Sequence, residues 1–457
     1  MGVSTWAQPF MGLYATQNSI TEIRENPAFT VTQDRAQINI ASAGAEIGGN
    51  SIVFKPGAYN FLAGSTIAMD KDYYRNYDPH QKQIWASVEA MGPGASFRIK
   101  RRYFVAVTTG VRYLMNSDNL NQGVFNLMGT HPYTDTNKTD SFKIHNYSIA
   151  SQVFREVNLS YGGFLYESED YNLIGGVTIK LLSGMGAAGM GIGDASFKVK
   201  NNDGIAYNAT GNVNVAFTPY ANSWAITNNP FQSYNNRTGN FGVGADVGVV
   251  YYINPNETMQ LKRGYEARIA MSITDIGSIN YTASSTSGAY AITNKNINYR
   301  GISNNTNATF GNQILNGYLT DTVAAVKGSS SKFKVRLPTA FHFNADLKVE
   351  PRLYVNTNLL LNLVTPSADK FTNHYISTLT ITPRYMVRDF GVALPFSFNA
   401  IKQGYVGVIV FLGPVYIGSG SLYEMATSSS IYNVNGYAGF TWRVKPKRKK
   451  EKDIMMM

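Results

Sequence analysis

From Phe341 to Val349 apolar and polar residues alternate without exception: Phe341, Phe343, Ala345, Leu347 and Val349 on one side, His342, Asn344, Asp346 and Lys348 on the other. Period two marks a strand with two unlike faces. The pattern recurs. Leu353, Val355, Leu359, Leu361 and Leu363 oppose Asn356, Asn358 and Asn362, and Tyr265, Ala267, Ile269, Met271 and Ile273 oppose Glu266, Arg268, Ser272 and Thr274. Near the end, Tyr432, Val434, Gly436, Ala438, Phe440, Trp442 and Val444 alternate with Asn433, Asn435, Thr441 and Arg443. A soluble sandwich with one wet face would alternate too. Its strands average about 5–6 residues, however, whereas lipid-spanning strands need about 9–11. The runs here are of the longer kind. Connections sort by length as well: very short turns at 100–102, 167–170, 350–351, 388–389 and 413–414, a moderate one at 254–264, long polar stretches at 47–82, 116–150, 184–238 and 277–334, and shorter ones near 365–374, 400–404 and 426–430.

With the short turns inside and the longer loops outside, the expected strands are 35–46, 83–99, 103–115, 151–166, 171–183, 239–253, 265–276, 335–349, 352–364, 375–387, 390–399, 405–413, 415–425 and 430–444. The expected fold is all-β: a closed antiparallel transmembrane β-barrel of about 14 strands (range 12–16), an even number as bacterial single-chain barrels show. Closure is required because an open edge in hydrocarbon leaves N–H and C=O groups unmatched at several kcal/mol each. Composition agrees. Charged residues are 15%, against about a quarter in ordinary soluble chains, and 30 Tyr with 24 Phe can furnish aromatic girdles. No run of 18 apolar residues occurs, so a transmembrane helix is excluded. With no Cys there is no disulfide framework, thiolate metal site or cysteine nucleophile.

Net charge is +11, of which +4 lies in the basic tail Lys445-Pro446-Lys447-Arg448-Lys449-Lys450-Glu451-Lys452-Asp453. The rest is dispersed, and no basic stripe that would track nucleic acid is present. The tail (445–457) is expected on the periplasmic side, solvated or bound to anionic headgroups or an envelope partner. Residues 1–7 read as the end of a secretory signal, with small Thr5 and Ala7 before Gln8 and the start codon assigned too far downstream. The nine or so Asn-x-Ser/Thr triplets follow from an Asn-rich composition.

Signals of chemistry are weak. Gly184-Met185-Gly186-Ala187-Ala188-Gly189 fits the dinucleotide spacing, with Asp203 about twenty residues on. Those glycines should open a helix; here they run into Met190-Gly191-Ile192-Gly193 and more strand-like sequence, so close approach of another backbone is the better reading. Asn202-Asp203-Gly204 marks a hairpin between 195–200 and 205–215. His80, His131, His145, His342 and His374 form no metal-ligand spacing, and only His342 sits on an inward face. No catalytic residue, cofactor or metal is expected, and the chain is read as no enzyme. By the alternation Glu156, Asp246, Glu266, Arg268, Arg336, His342, Asp346, Lys348 and Arg384 point into the lumen, since Arg or Lys on the lipid face costs up to about 2–4 kcal/mol. Asp246 and Arg268 are expected to face each other across paired strands.

Several short motifs carry a resemblance. Asn26-Pro27-Ala28-Phe29 resembles the Asn-Pro-Ala element of the long-chain fatty-acid transporter superfamily of outer-membrane barrels. Gly92-Pro93-Gly94-Ala95-Ser96, Thr109-Gly110-Val111-Arg112, Ser272-Ile273-Thr274-Asp275-Ile276-Gly277-Ser278-Ile279-Asn280-Tyr281 and Phe411-Leu412-Gly413-Pro414 are similar to an uncharacterised barrel family of type IX-secreting bacteria. The resemblance implies fourteen strands over 35–444 and an N-terminal hatch over 8–34 that includes Asn26, Pro27, Ala28 and Phe29. It also implies an outer-membrane location and passive passage of a hydrophobic or small amphipathic compound through a hatch-gated lumen. The alternative is a structural or assembly partner of an envelope or secretion complex, without transport. Expected partners are outer-membrane lipid and, under the alternative, an envelope or secretion-system protein.

Overall fold

A computed structural model describes residue 13 and residues 19–31, 36–55, 73–76, 81–100, 102–127, 139–200, 205–219, 239–254, 265–285, 287–298, 324–327, 331–387 and 390–444. Fourteen strands close into one antiparallel barrel. They are β1 (Ala36–Gly49), β2 (Lys82–Met91 and Gly94–Lys100), β3 (Tyr103–Leu120), β4 (Thr139–Glu167), β5 (Tyr171–Lys200), β6 (Phe241–Ile253) and β7 (Ala267–Thr282). The second half has β8 (Lys332–Arg336 and Ala340–Glu350), β9 (Leu353–Asn362), β10 (Thr378–Val387), β11 (Phe390–Ala393 and Phe396–Asn399), β12 (Gly404–Val406 and Val408–Leu412), β13 (Val415–Ser419) and β14 (Asn433–Val444). Each pairs with its sequence neighbours. The ring shuts where β1 meets β14, from Ala36↔Val444 to Gly48↔Asn433. No edge is left to hydrocarbon.

The outer face carries what lipid demands. Every strand presents at least one large exposed apolar residue, among them Ile38, Phe97, Val107, Leu159, Ile179, Val247, Met271, Leu347, Leu361, Ile381, Phe398, Leu412, Ile417 and Trp442. A surface this apolar is stable only when acyl chains cover it. Tyrosines gather at the short-turn end, where Tyr103 stacks on Tyr161 and Tyr166 on Tyr171, as an interfacial girdle should. The inner face is polar and buried, with Asn158, Ser160, Thr178, Asn344, Asn356, Thr380 and Thr382 in the wall.

The structure departs from the sequence expectation outside the membrane. β4 and β5 run for 29 and 30 residues, about 100 Å for the longer at 3.3 Å per residue, well into stretches expected as loops. Their outer halves continue into a sheet with Ile205–Phe217, Gly288–Asn298 and Ala324–Lys327. The expected strand 415–425 ends at Ser419, and Leu422–Thr427 is a short helix. The expected strand 375–387 starts at Thr378, because residues 372–376 turn into the lumen. Residues 1–7, most of 8–34 before Ser19, and the tail 445–457 lie outside the described residues.

Candidate functional site

The lumen is filled from both ends. From the short-turn side it holds Ser19–Val31, which folds into two 3-10 turns, Ile20–Arg24 and Pro27–Thr30. The sequence prescribes the second turn: Pro27 sits at its first position with φ preset, and the Asn26 side chain accepts from Ala28 N–H at 2.9 Å as an N-cap. Apart from half-buried Arg24, every residue of the segment is buried.

The wall is shaped to receive it. Gly162 of β4, Gly176 of β5 and Gly248 of β6 are register partners, with Ser272 of β7 next in the row. A Cβ on Gly176 would overlap the Pro27 and Ala28 backbone, and one on Gly248 would overlap Asn26. Over this glycine floor the Asn26 amide donates to the carbonyls of Val249 and Met271 at 3.1 and 3.0 Å. The Ser272 hydroxyl donates to the Glu25 carbonyl. Phe29 packs with Val31, Phe104, Ile174, Val250 and Tyr252.

Charges fix the segment in register. Arg24 forks between Glu89 of β2 and Glu156 of β4. Arg268 stacks over the Phe29 ring at 4.8 Å and faces Glu22 at 3.9 Å. Asn358 donates to the Glu25 carboxyl. Burial, with Glu22 nearby, pushes the Glu25 carboxyl up to about 8, against the opposing pull of Asn358 and Arg268.

From the long-loop side, residues 372–376 enter the lumen. Asn373 donates to Asn116 and to the Ala150 carbonyl at 2.9 and 3.0 Å, His374 meets Asp118 at 2.7 Å, and the Tyr375 hydroxyl donates to Asp275 at 2.8 Å. Asp275 is the hub. It receives both Arg112 Nη atoms at 3.0 and 3.1 Å and Lys180 Nζ at 2.6 Å, and its own N–H donates to Asp246 at 2.7 Å. Its φ of 56° places it in the left-handed region within a strand, a conformation that persists only when the surroundings fix it. The resulting bulge, between Ala245 and Val247 on the partner strand, turns the carboxylate inward. Between the two fillings lies a cavity of about 20 Å³ lined by Arg24, Glu25, Glu89, Arg112, His342 and Tyr375 among others, room for roughly one water.

The expected site residues thus fall in different places. Glu156, Asp246, Arg268, His342, Asp346 and Arg384 are buried in the lumen; Lys348 is half-buried and Glu266 exposed, where Asn254 donates to it. Arg336 is a correction. The strand breaks at Leu337-Pro338-Thr339, the alternation changes phase, and Val335 and Leu337 point inward while Arg336 is exposed. The expected Asp246–Arg268 pair is also wrong, because Arg268 is in register with Tyr252 and Asp346, and Asp246 binds Lys180 at 2.8 Å. His374 joins His342 on the inside. His145 is exposed, and His80 and His131 lie outside the described residues. Gly184, Gly189 and Gly191 lie in β5, where Tyr281, Phe371 and Ala368 approach closely. Sequence reading missed Glu89, Arg112 and Lys180, although each is in phase with the inward face of its strand. It missed Asp275 because that residue is in phase with lipid-facing Ile273 until the bulge reverses it.

Among solved structures the chain is similar to the Pseudomonas putida toluene transporter TodX (10% identity, 96% of each chain covered, TM-score 0.35). It is similar to a Pseudomonas aeruginosa FadL homologue (10% identity, 96% of this chain and 98% of that one, TM-score 0.31). It is also similar to the translocator domain of the autotransporter NalP from Neisseria meningitidis (6% identity, 90% and 89%, TM-score 0.32). Similarity at this level does not choose between a transporter and an autotransporter, and the strand pairing alone carries the fold. No curated protein sequence matches the chain. Residues 27–420 match the profile of one family along most of the chain, and the protein belongs to that family, described as a family of unknown function (DUF5723).

Proposed function

We propose that this protein is an outer-membrane barrel for passive passage of a hydrophobic or small amphipathic compound, and that Ser19–Val31 is its gate. One observation carries the reading. Among the described residues no backbone-to-backbone hydrogen bond joins this segment to the wall; its backbone-to-backbone bonds lie within its own turns, and side chains make the attachment. A segment held that way can leave without breaking a strand ladder. The closed lumen is then a resting state, and the outer-membrane location rests on the closed barrel and its apolar belt.

Deleting residues 8–34 should raise the conductance of the purified protein in planar bilayers, most clearly when Tyr375→Ala also loosens the opposite filling. Unchanged conductance in both backgrounds would end the gate reading. A second reading, attachment of an envelope or type IX secretion partner, is favoured by the sheet that β4 and β5 carry beyond the membrane. Stable co-purification of one such protein with the full chain, lost when residues 184–218 are shortened to a tight turn, would select it.

A further inference from the structure

The break that turns Arg336 outward also opens the outer wall. β7 pairs with the lower half of β8 from Ala267↔Leu347 to Thr274↔Ala340, and with the upper half from Ser278↔Arg336 to Thr282↔Lys332. β9 accompanies only the lower half, ending at Ala340↔Asn362. Above it the chain leaves the wall, touches the upper half only at Phe371 and Thr372, and then enters the lumen. The missing stretch of neighbour leaves a cleft of about 630 Å³.

Its lining has a definite polarity. The floor is Ile276, Leu363 and Val364; around it stand the cations Lys334, Arg336 and Lys370 with the hydroxyls of Ser278, Thr339, Thr365, Ser367 and Thr372. All three cations are exposed, and no acidic side chain lines the cleft among the described residues. The height is also defined. On β8 the outward apolar run extends from Val349 to Phe341, eight steps of a tilted strand or roughly 20 Å, and Arg336 and Lys334 follow directly above it. The cleft therefore stands at the long-loop rim of the lipid belt, at headgroup level on the outer leaflet.

We propose that this cleft binds the phosphate-bearing headgroup of an outer-leaflet lipid, with its acyl chains running down past Leu363 and Leu361. Three cations converge on the phosphate, the hydroxyls other than that of Thr339, which donates to the Asp275 carbonyl, donate to its free oxygens, and the apolar floor continues onto the lipid-facing wall without a step. A soluble anion would use the cations and waste the floor; a neutral lipid would leave the cations uncompensated. Each Lys or Arg near an anionic headgroup is worth about a fivefold change in binding, so removing three should cost about 100-fold at low ionic strength.

The test uses the full chain in dodecyl maltoside, with bound lipid counted by native mass spectrometry during titration with dioleoyl phosphatidylglycerol, dioleoyl phosphatidylcholine or inorganic phosphate. The wild type should hold phosphatidylglycerol well before phosphatidylcholine, with no displacement by millimolar phosphate. K334Q/R336Q/K370Q should lose that preference while keeping the heat-dependent gel shift of a folded barrel, and Leu363→Asn should weaken binding with all three cations in place. Equal retention of the two lipids, a triple variant that binds like wild type, or full displacement by inorganic phosphate would each overturn the assignment.

Discussion

Gly248→Ala is the sharpest probe of how the lumen is filled. A Cβ at this position would lie 2.7 Å from Asn26 Cγ and 2.9 Å from Ser272 Cβ, where ordinary contact begins at 3.4 Å. The segment around Asn26 must therefore move by close to 1 Å. That movement lengthens both Asn26 amide bonds, now 3.1 and 3.0 Å, beyond hydrogen-bonding range. Two such bonds at about 1 kcal/mol each, with some loss of the Asn26 cap, weaken docking by about 2–3 kcal/mol, or roughly 30- to 150-fold in the docked ratio. On the wall side only Ser272 must give, by about half an ångström, and Ala is otherwise the better strand residue of the two. Opening frequency in planar bilayers and protease sensitivity of residues 19–31 should rise together in Gly248→Ala, and again in Gly176→Ala. If both variants keep wild-type opening and protection while the barrel stays folded, the glycine row does not seat the segment and the gate loses its anchor.

Three further outcomes rest on the same geometry. Burial pushes the docked Glu25 carboxyl up from 4.5 to about 8, so docking takes up a proton there; that contribution is complete below pH 4.5 and is lost as pH rises through about 8. The protection factors of residues 19–31, with intrinsic base catalysis of exchange divided out, should fall between pH 5 and 8, and Glu25→Gln should flatten that fall; an equal fall in the variant would contradict it. Asp275→Ala leaves Arg112 and Lys180 buried without their shared carboxylate and should cost about 3–5 kcal/mol, read as a lower urea midpoint for folding in lipid vesicles. Ile179→Arg, on the lipid face of β5 and 53% exposed, should cost about 2–4 kcal/mol in the same assay, and no change would contradict the assigned lipid face.

The barrel was legible because lipid and lumen impose opposite demands on neighbouring residues, so each strand records its own two faces. Phe341 to Val349 states the rule, and the observed wall has the same fourteen strands that alternation and turn length select. Legibility fails where that contrast ends. Beyond the membrane the outer halves of β4 and β5 have no lipid face: one side packs the small cluster of Phe142, Ile144, Tyr147 and Val199, the other meets water, and the Ser, Thr and Asn there look like Ser, Thr and Asn in a loop. It fails again at phase changes. The bulge at Asp275 and the break at Pro338 each exchange inside for outside in the residues beyond them, and no local residue count reveals a reversal. The lumen site suffers most, because its partners come from strands far apart in sequence: Arg112 on β3 finds Asp275 on β7 only once the ring has closed.

On the gate reading proposed above, release accounts for the ionic part of the attachment, Arg24 with Glu89 and Glu156, which stands beside the buried apolar residues Ile20, Ile23, Ala28, Phe29 and Val31. Burying Arg24 with Glu89 and Glu156 carries a large desolvation cost, and an apolar filling of equal volume would often be as stable or more so. An apolar plug, though, would expose oily surface to water on both sides of the gap whenever it left, and the hydrophobic effect would oppose opening at every step. An ionic plug behaves in the opposite way. As Arg24 withdraws, water entering the lumen solvates the arginine and both glutamates, recovering much of the desolvation cost that docking imposed. Attraction and hydration therefore nearly balance, while the direction and spacing of Arg24, Asn26 and Arg268 still specify a single docked position. A wall of glycines, charges and amides under a segment joined to it by side chains and by no backbone ladder is the arrangement in which a plug can be both specific in its seat and easy to move.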